Sequence, residues 1–114
     1  MPVLEGVKIH NPEPGVAVAE LIGEHDLVER ADLQELLELL IIDNELVVLD
    51  VSATTFIDSS VIHVLTEARK FSRECGTQLR LQMGTAPVVE QCLEISGIVD
   101  LFDVVHNRRD ALAT

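Results

Sequence analysis

Leu46-Val47-Val48-Leu49-Asp50-Val51-Ser52-Ala53-Thr54-Thr55-Phe56-Ile57-Asp58-Ser59-Ser60-Val61 is the segment on which the fold class turns. Its first six residues are almost continuously aliphatic, the pattern of a strand buried on both faces of a parallel sheet. Ser52 to Thr55 reads as a short polar loop. After Phe56 and Ile57 the chain steps through Asp58-Ser59-Ser60 into a run where Val61, Val64, Leu65, Ala68, Phe71 and Cys75 recur at helical intervals. Aspartate and serine ahead of such a run are helix-start residues, because their side-chain oxygens accept hydrogen bonds from the unpaired first-turn amides. Two hydroxyls and a carboxylate therefore stand where a strand hands over to a helix, the end at which open α/β sheets collect binding chemistry.

The flanking sequence repeats this alternation. Val7 to His10 is a short strand, and Asn11-Pro12-Glu13-Pro14-Gly15 is a strong turn. Val16 to Ile22 is a second strand, antiparallel to the first, and Gly23-Glu24-His25 ends it. Asp26-Leu27-Val28-Glu29 has capping-box spacing and opens the first helix. Leu27, Ala31, Leu33, Leu36, Leu37 and Leu40 form its inner face, Glu29, Asp32, Glu35 and Glu38 its outer one, and Asp43-Asn44 stops it. Beyond the second helix, Gly76 is placed as a C-terminal glycine and Leu79 to Met83 is a strand. Thr85-Ala86-Pro87 opens a third helix, with Val88, Val89, Cys92, Leu93 and Ile95 as its apolar contacts and Gly97 as its end. Phe102, Val104 and Val105 suggest a last short strand, and Arg108 to Ala113 a terminal helix. The order β-β-α-β-α-β-α-β-(α) implies one α/β domain over residues 1–114, built on a mixed β-sheet with helices.

Composition agrees and excludes several functions. The chain has 114 residues, 47% hydrophobic with only three phenylalanines as aromatics, so it carries an aliphatic core and is not disordered. Net charge is −12, and residues 1–58 hold 13 acids against Lys8 and Arg30, leaving the second half close to neutral. With no basic footprint, nucleic-acid binding is excluded; Arg69, Lys70 and Arg73 read as a solvated helix face. Cys75 and Cys92 form no C-x-x-C pair, and His10, His25, His63 and His106 are scattered. We therefore expect no metal or cofactor, and two reduced core cysteines, as in a cytoplasmic protein. There is no signal-peptide pattern, and the most apolar run, Leu36 to Ile42, is broken by Glu38 and too short to span a bilayer.

Asp58, Ser59 and His63 invite comparison with a catalytic triad. A triad carboxylate must orient the far side of the imidazole, whereas Asp58 adjoins the serine, and no G-x-S-x-G elbow is present. No phosphate-cradling glycine loop occurs, and no spacing singles out a carboxylate pair. Two readings of the Asp-Ser-Ser step remain. One is a helix cap alone, the more economical on the residues by themselves. The other is a regulatory serine, since phosphorylation at a helix N-terminus leaves a fold intact while changing the local surface potential.

The chain resembles the STAS domain family of anti-sigma factor antagonists and their relatives. The resemblance rests on Gly23-Glu24-His25-Asp26, Val48-Leu49-Asp50-Val51, Phe56-Ile57-Asp58-Ser59-Ser60, and Ile95-Ser96-Gly97-Ile98 followed by Leu101-Phe102, and it covers essentially the whole chain. It implies that Ser59 is phosphorylated by a GHKL-type serine kinase that is itself an anti-sigma factor, and that a phosphatase restores it. Unphosphorylated antagonist would hold the kinase and free the sigma factor. It further implies that Asp26 lies beside the phosphorylation site and contributes to partner contact together with Asp58, Ser60, Val61 and His63, Ser60 having the weaker claim and serving rather as cap or hydrogen-bond support. Family members commonly carry glycine where Val61 stands and often a small residue at His63, so this chain presents more bulk to a docking partner. The alternative within the family is a scaffold or transporter-associated subunit that binds without phosphorylation.

Overall fold

A computed structural model describes residues 6–25, 30–84 and 87–113. The chain order is β1 (Val7–Glu13), β2 (Val16–Leu21), β3 (Gly23–His25), α1 (Arg30–Asp43), β4 (Leu46–Asp50), β5 (Thr54–Ile57), α2 (Ser59–Cys75), β6 (Gln78–Gln82), α3 (Pro87–Ile95), a 3₁₀ turn (Ile98–Asp100), β7 (Asp103–Val105) and α4 (Arg108–Leu112). Five strands form a mixed sheet in the order β1-β2-β4-β6-β7, with β1 antiparallel to β2 and every other pairing parallel. This is the mixed α/β architecture that the alternation of strand and helix patterns predicts.

All five residues of β4 are buried. It pairs along its whole length with β2 on one side, from Leu46↔Val16 to Asp50↔Glu20, and with β6 on the other, from Leu46↔Gln78 to Asp50↔Gln82. Side chains alternate across a strand, so these registers sort the aliphatics into two sets. Ala17, Ala19, Leu21, Val47, Leu49, Leu79 and Leu81 face one way and pack with Leu33, Leu37 and Ile41 of α1, Val61, Val64, Leu65 and Ala68 of α2, and Val89 and Leu93 of α3. Val16, Val18, Leu46 and Val48 face the other way and meet Ala111, with Val105 and Leu112 packed beside them. One face thus carries three helices, and α4 lies against the other.

Two arginines hold α4 there. Arg80, on β6, is 8% exposed and lies 3.1 Å from Asp103 Oδ2 through Nε. Its Nη1 donates to the carbonyls of Ala111 (2.8 Å) and Ala113. Arg108, the first residue of α4, reaches back over the strand ends. Its Nε donates to Gln82 Oε1 (2.9 Å), and its Nη2 donates to Glu20 Oε1 (3.1 Å) and Asp50 Oδ2 (2.5 Å). His10 Nε2 closes the group at 3.0 Å from Glu20 Oε1 and 3.2 Å from Arg108 Nη1. Burial works against charge on Arg108, but the bonds to Asp50 and Glu20 outweigh it and hold its pKa above the usual value. The hydrogen bonds from Arg108 and then His10 hold the Glu20 carboxyl below its ordinary 4.5.

Several details depart from the sequence expectations. β1 continues through Asn11, Pro12 and Glu13, with an irregular register between His10 and Glu13, and only Pro14-Gly15 turn. An edge strand has an unpaired side, so Pro12 costs no ladder bond there. Gly23 to His25 do not merely end β2. They form β3, and the expected polar loop yields β5 from Thr54 onward; these two strands pair in parallel as a separate small sheet. Cys75 was expected in the core but is exposed at the last position of α2, past the end of the buried stripe; Cys92 is half-buried and both are free. Ala31 is exposed, and so is Ile95 at 80%. The capping box over residues 26–29 and the Thr85-Ala86 helix opening lie outside the described residues.

Leu49 is fully buried at the centre of the larger core. Leu49→Ala is expected to lower unfolding free energy by roughly 3 kcal/mol, read from urea melts. A second expectation concerns acid. Because Glu20 has a lowered native pKa, its contribution is fully present above the ordinary carboxylate range and is lost as pH falls through that lowered value. Glu20→Gln should therefore reduce stability at neutral pH and flatten the acid limb of a stability–pH curve; parallel curves for the two proteins would refute this.

Candidate functional site

β5 is anchored at both ends and open between them. Thr54 is 1% exposed and donates through Oγ1 to the carbonyl of Leu21 (2.5 Å), while Ile57 is 4% exposed and joins the core. Thr55 and Phe56 between them are exposed, Phe56 to 44%. The pairing with β3 sets His25 against Ile57, so the backbone of Gly23 to His25 runs alongside the segment that delivers Asp58. Asp26, the last residue of that motif, lies outside the described residues.

Asp58 is the N-cap of α2. Its backbone is extended (φ −111°, ψ −179°), and Oδ1 accepts from the amides of Ser60 (3.0 Å) and Val61 (3.1 Å). One carboxylate oxygen thus satisfies two of the first-turn donors that a helix leaves unpaired, and its charge lies at the positive end of the helix dipole. The cap is Asp58 and not Ser60, which leaves both hydroxyls free of that task. Ser59 is exposed as the first residue of the helix, and no hydrogen bond to another described residue engages its hydroxyl. Ser60 is half-buried. Val61 is 1% exposed and packs in the core, which seats the first turn on the sheet. His63 is exposed four residues after Ser59, on the same helix face.

The structure brings together Asp58, Ser59 and Ser60 at the helix start with His63 one turn further on the same face, and directs Val61 inward, so that its bulk fills the core instead of facing a docking partner. Among the described residues, no group of three His, Cys, Asp or Glu side chains is placed to hold a metal ion. No helix among them is long and apolar enough to cross a membrane. What the sequence reading missed is the exposed aromatic beside the serine step, together with the strand that presents it. Thr54-Thr55-Phe56-Ile57 is rich in β-branched and aromatic residues, a strand signal that the polar Ser52-Ala53 start concealed.

The cap gives a direct expectation. Asp58→Ala should destabilise the protein by about 1 kcal/mol in chemical denaturation, while Asp58→Asn, which keeps the acceptor oxygen, should lose far less. Equal losses would show that charge and not the hydrogen bonds carries the effect.

The family model of the STAS domain matches residues 10–111. No curated protein matches the chain by sequence. Among solved structures, the chain is similar to the anti-sigma factor antagonist SpoIIAA in its unphosphorylated form, with a TM-score of 0.79 at 15% identity, covering 93% of this chain and 92% of that one. An anti-sigma factor antagonist from Mycobacterium paratuberculosis is similar with a TM-score of 0.76 at 23% identity, over 93% and 89%. The STAS domain of a SulP transporter from Vibrio cholerae is similar with a TM-score of 0.70 at 20% identity, over 90% and 81%. At these identities the structural likenesses establish the fold, and the family follows from the model match, which spans nearly the whole chain: this protein belongs to the STAS domain family.

Proposed function

We propose that this protein is an anti-sigma factor antagonist, a cytoplasmic binding protein rather than an enzyme, switched by phosphorylation of Ser59. The observation that carries the reading is the state of that residue. Ser59 is exposed at the first position of a helix whose capping is already done by Asp58, within a STAS fold. The partner is a GHKL-type serine kinase that acts as the anti-sigma factor, and a phosphatase reverses its action.

The physics of the switch is local. A phosphoserine adds roughly 1.5 to 2 negative charges and three strong acceptors. The dipole at the start of α2 tolerates that charge, and the adjacent Asp58 carboxylate, which already takes the Ser60 and Val61 amides, opposes it. The domain therefore keeps its fold while the surface formed by Asp58, Ser59, Ser60 and His63 becomes strongly negative. Phe56, on the strand leading in, offers an exposed aromatic of the kind that anchors protein interfaces. Val61 acts from beneath: buried in the core, it fixes the height of the first turn. Asp26 is proposed to contribute to partner contact from the end of the Gly23-Glu24-His25 strand.

Incubation with the cognate kinase and ATP, followed by mass spectrometry, is expected to place one phosphate on Ser59. Ser59→Asp should weaken kinase binding by about tenfold or more, since like charges set against each other at an interface cost several kcal/mol, with an unchanged circular dichroism melt. Phosphate elsewhere under an active kinase would sink the reading. Binding indifferent to both Ser59→Ala and ATP would favour instead a scaffold or transporter-associated STAS unit.

A further inference from the structure

Asp50 and Arg80 are the two charged residues buried among the described residues, and only Asp50 lies in the continuously aliphatic central strand, 4% exposed. Arg80 has an evident task in holding the end of α4. Asp50 has two tasks, and they point in opposite directions. Its Oδ2 takes the Arg108 guanidinium from α4, at 2.5 Å. Its Oδ1 takes the backbone amide of Ser52, at 2.8 Å, the first residue of the loop that feeds β5. A buried ion pair is seldom needed for stability, because a well-packed apolar pair does as well or better; breaking one leaves a costly buried charge.

We propose that Asp50 is a positioning residue that couples the docking of α4 on the sheet to the placement of the Ser52-Ala53 loop, and through β5 to the start of the Ser59 helix. The loop has little freedom to absorb a change. On its far side it rests on the backbone of Gly84, where an added Cβ would come within 2.6 Å of Ser52 Cα. Above it, Val51 N donates to Gln82 O (2.9 Å), and Gly23 N donates to Ala53 O (3.0 Å), joining the loop to β3. Three residues after Ala53, Phe56 is in register with Glu24, and Asp58 follows at the cap. When Arg108 is in place, Asp50 has a counter-charge, which it shares with Glu20, and its two oxygens serve two roles. When α4 lifts, the buried carboxylate loses its counter-charge and must turn toward solvent. That turn weakens its hold on the Ser52 amide. The coupling is reciprocal: whatever grips the loop and the first turn of α2 also biases α4.

The consequence for Ser59 rests on the phosphorylation reading above, but the coupling itself does not, and its test uses no kinase. Amide hydrogen exchange is measured by NMR on the full chain and on Arg108→Gln, Asp50→Asn and the double variant, with Leu65 in the middle of α2 as an internal reference. Arg108→Gln is expected to speed exchange at Ser52 about fivefold relative to Leu65, at the low end of ordinary coupling. Gly23 should follow in the same direction. In the Asp50→Asn background the same change should add no further selective effect at Ser52, because the path runs through that carboxylate. Arg108→Lys, which keeps the charge, should restore part of the protection and serves as the folded variant if Arg108→Gln does not fold. Unmoved exchange at Ser52, uniform acceleration at Ser52 and Leu65, or full additivity in the double variant would each overturn the coupling. Loss of the coupling would leave the Ser59 reading untouched, and absence of phosphate on Ser59 would leave the coupling untouched.

Discussion

β4 is paired on both edges and covered on both faces, so its five residues have little contact with water through which to satisfy anything they carry. Four of them are aliphatic and need nothing. The fifth, Asp50, carries a carboxylate whose burial calls for a counter-charge, and Arg108 supplies it from the far end of the chain. Much of the remaining architecture is a consequence. α4 must lie on the second face of the sheet for its first residue to reach the strand ends, and there Ala111 and Leu112 cover Val16, Val18, Leu46 and Val48. Arg108 also bonds to Glu20 and Gln82, so one guanidinium ties together three neighbouring parallel strands.

The same strand determines where the candidate site stands. Beyond Asp50 the chain leaves the main sheet, and β5 pairs with β3 in place of the central strands. That short detour turns Phe56 outward, buries Ile57, and sets Asp58 in the extended conformation a cap requires. Asp58 then takes the two amides at the start of α2, and Val61 seats the first turn on the core. Ser59 is left at the surface with neither structural duty. A hydroxyl so placed can change its chemistry while the packing beneath it stays as it is, which is the physical requirement for a switch that alters a surface and spares a fold.

By itself the sequence determined the elements whose signal is periodic or chemical. The aliphatic run of β4, the helical stripe from Val61 to Ala68, the glycine after Cys75 and the Asp-Ser-Ser step each state a local preference strong enough to survive folding. The family resemblance was legible for the same reason, since its motifs sit at those junctions. Tertiary structure decided what depends on partners remote in the chain. β3 and β5 are three and four residues long, too short for a period, and exist because they pair with each other across more than 25 intervening residues. Which of Asp58 and Ser60 caps α2 is a matter of backbone angle, to which composition is blind. And nothing near Asp50 in the chain could indicate that its counter-charge is Arg108, 58 positions away: a buried charge announces that a partner is needed, but only the fold brings that partner within reach.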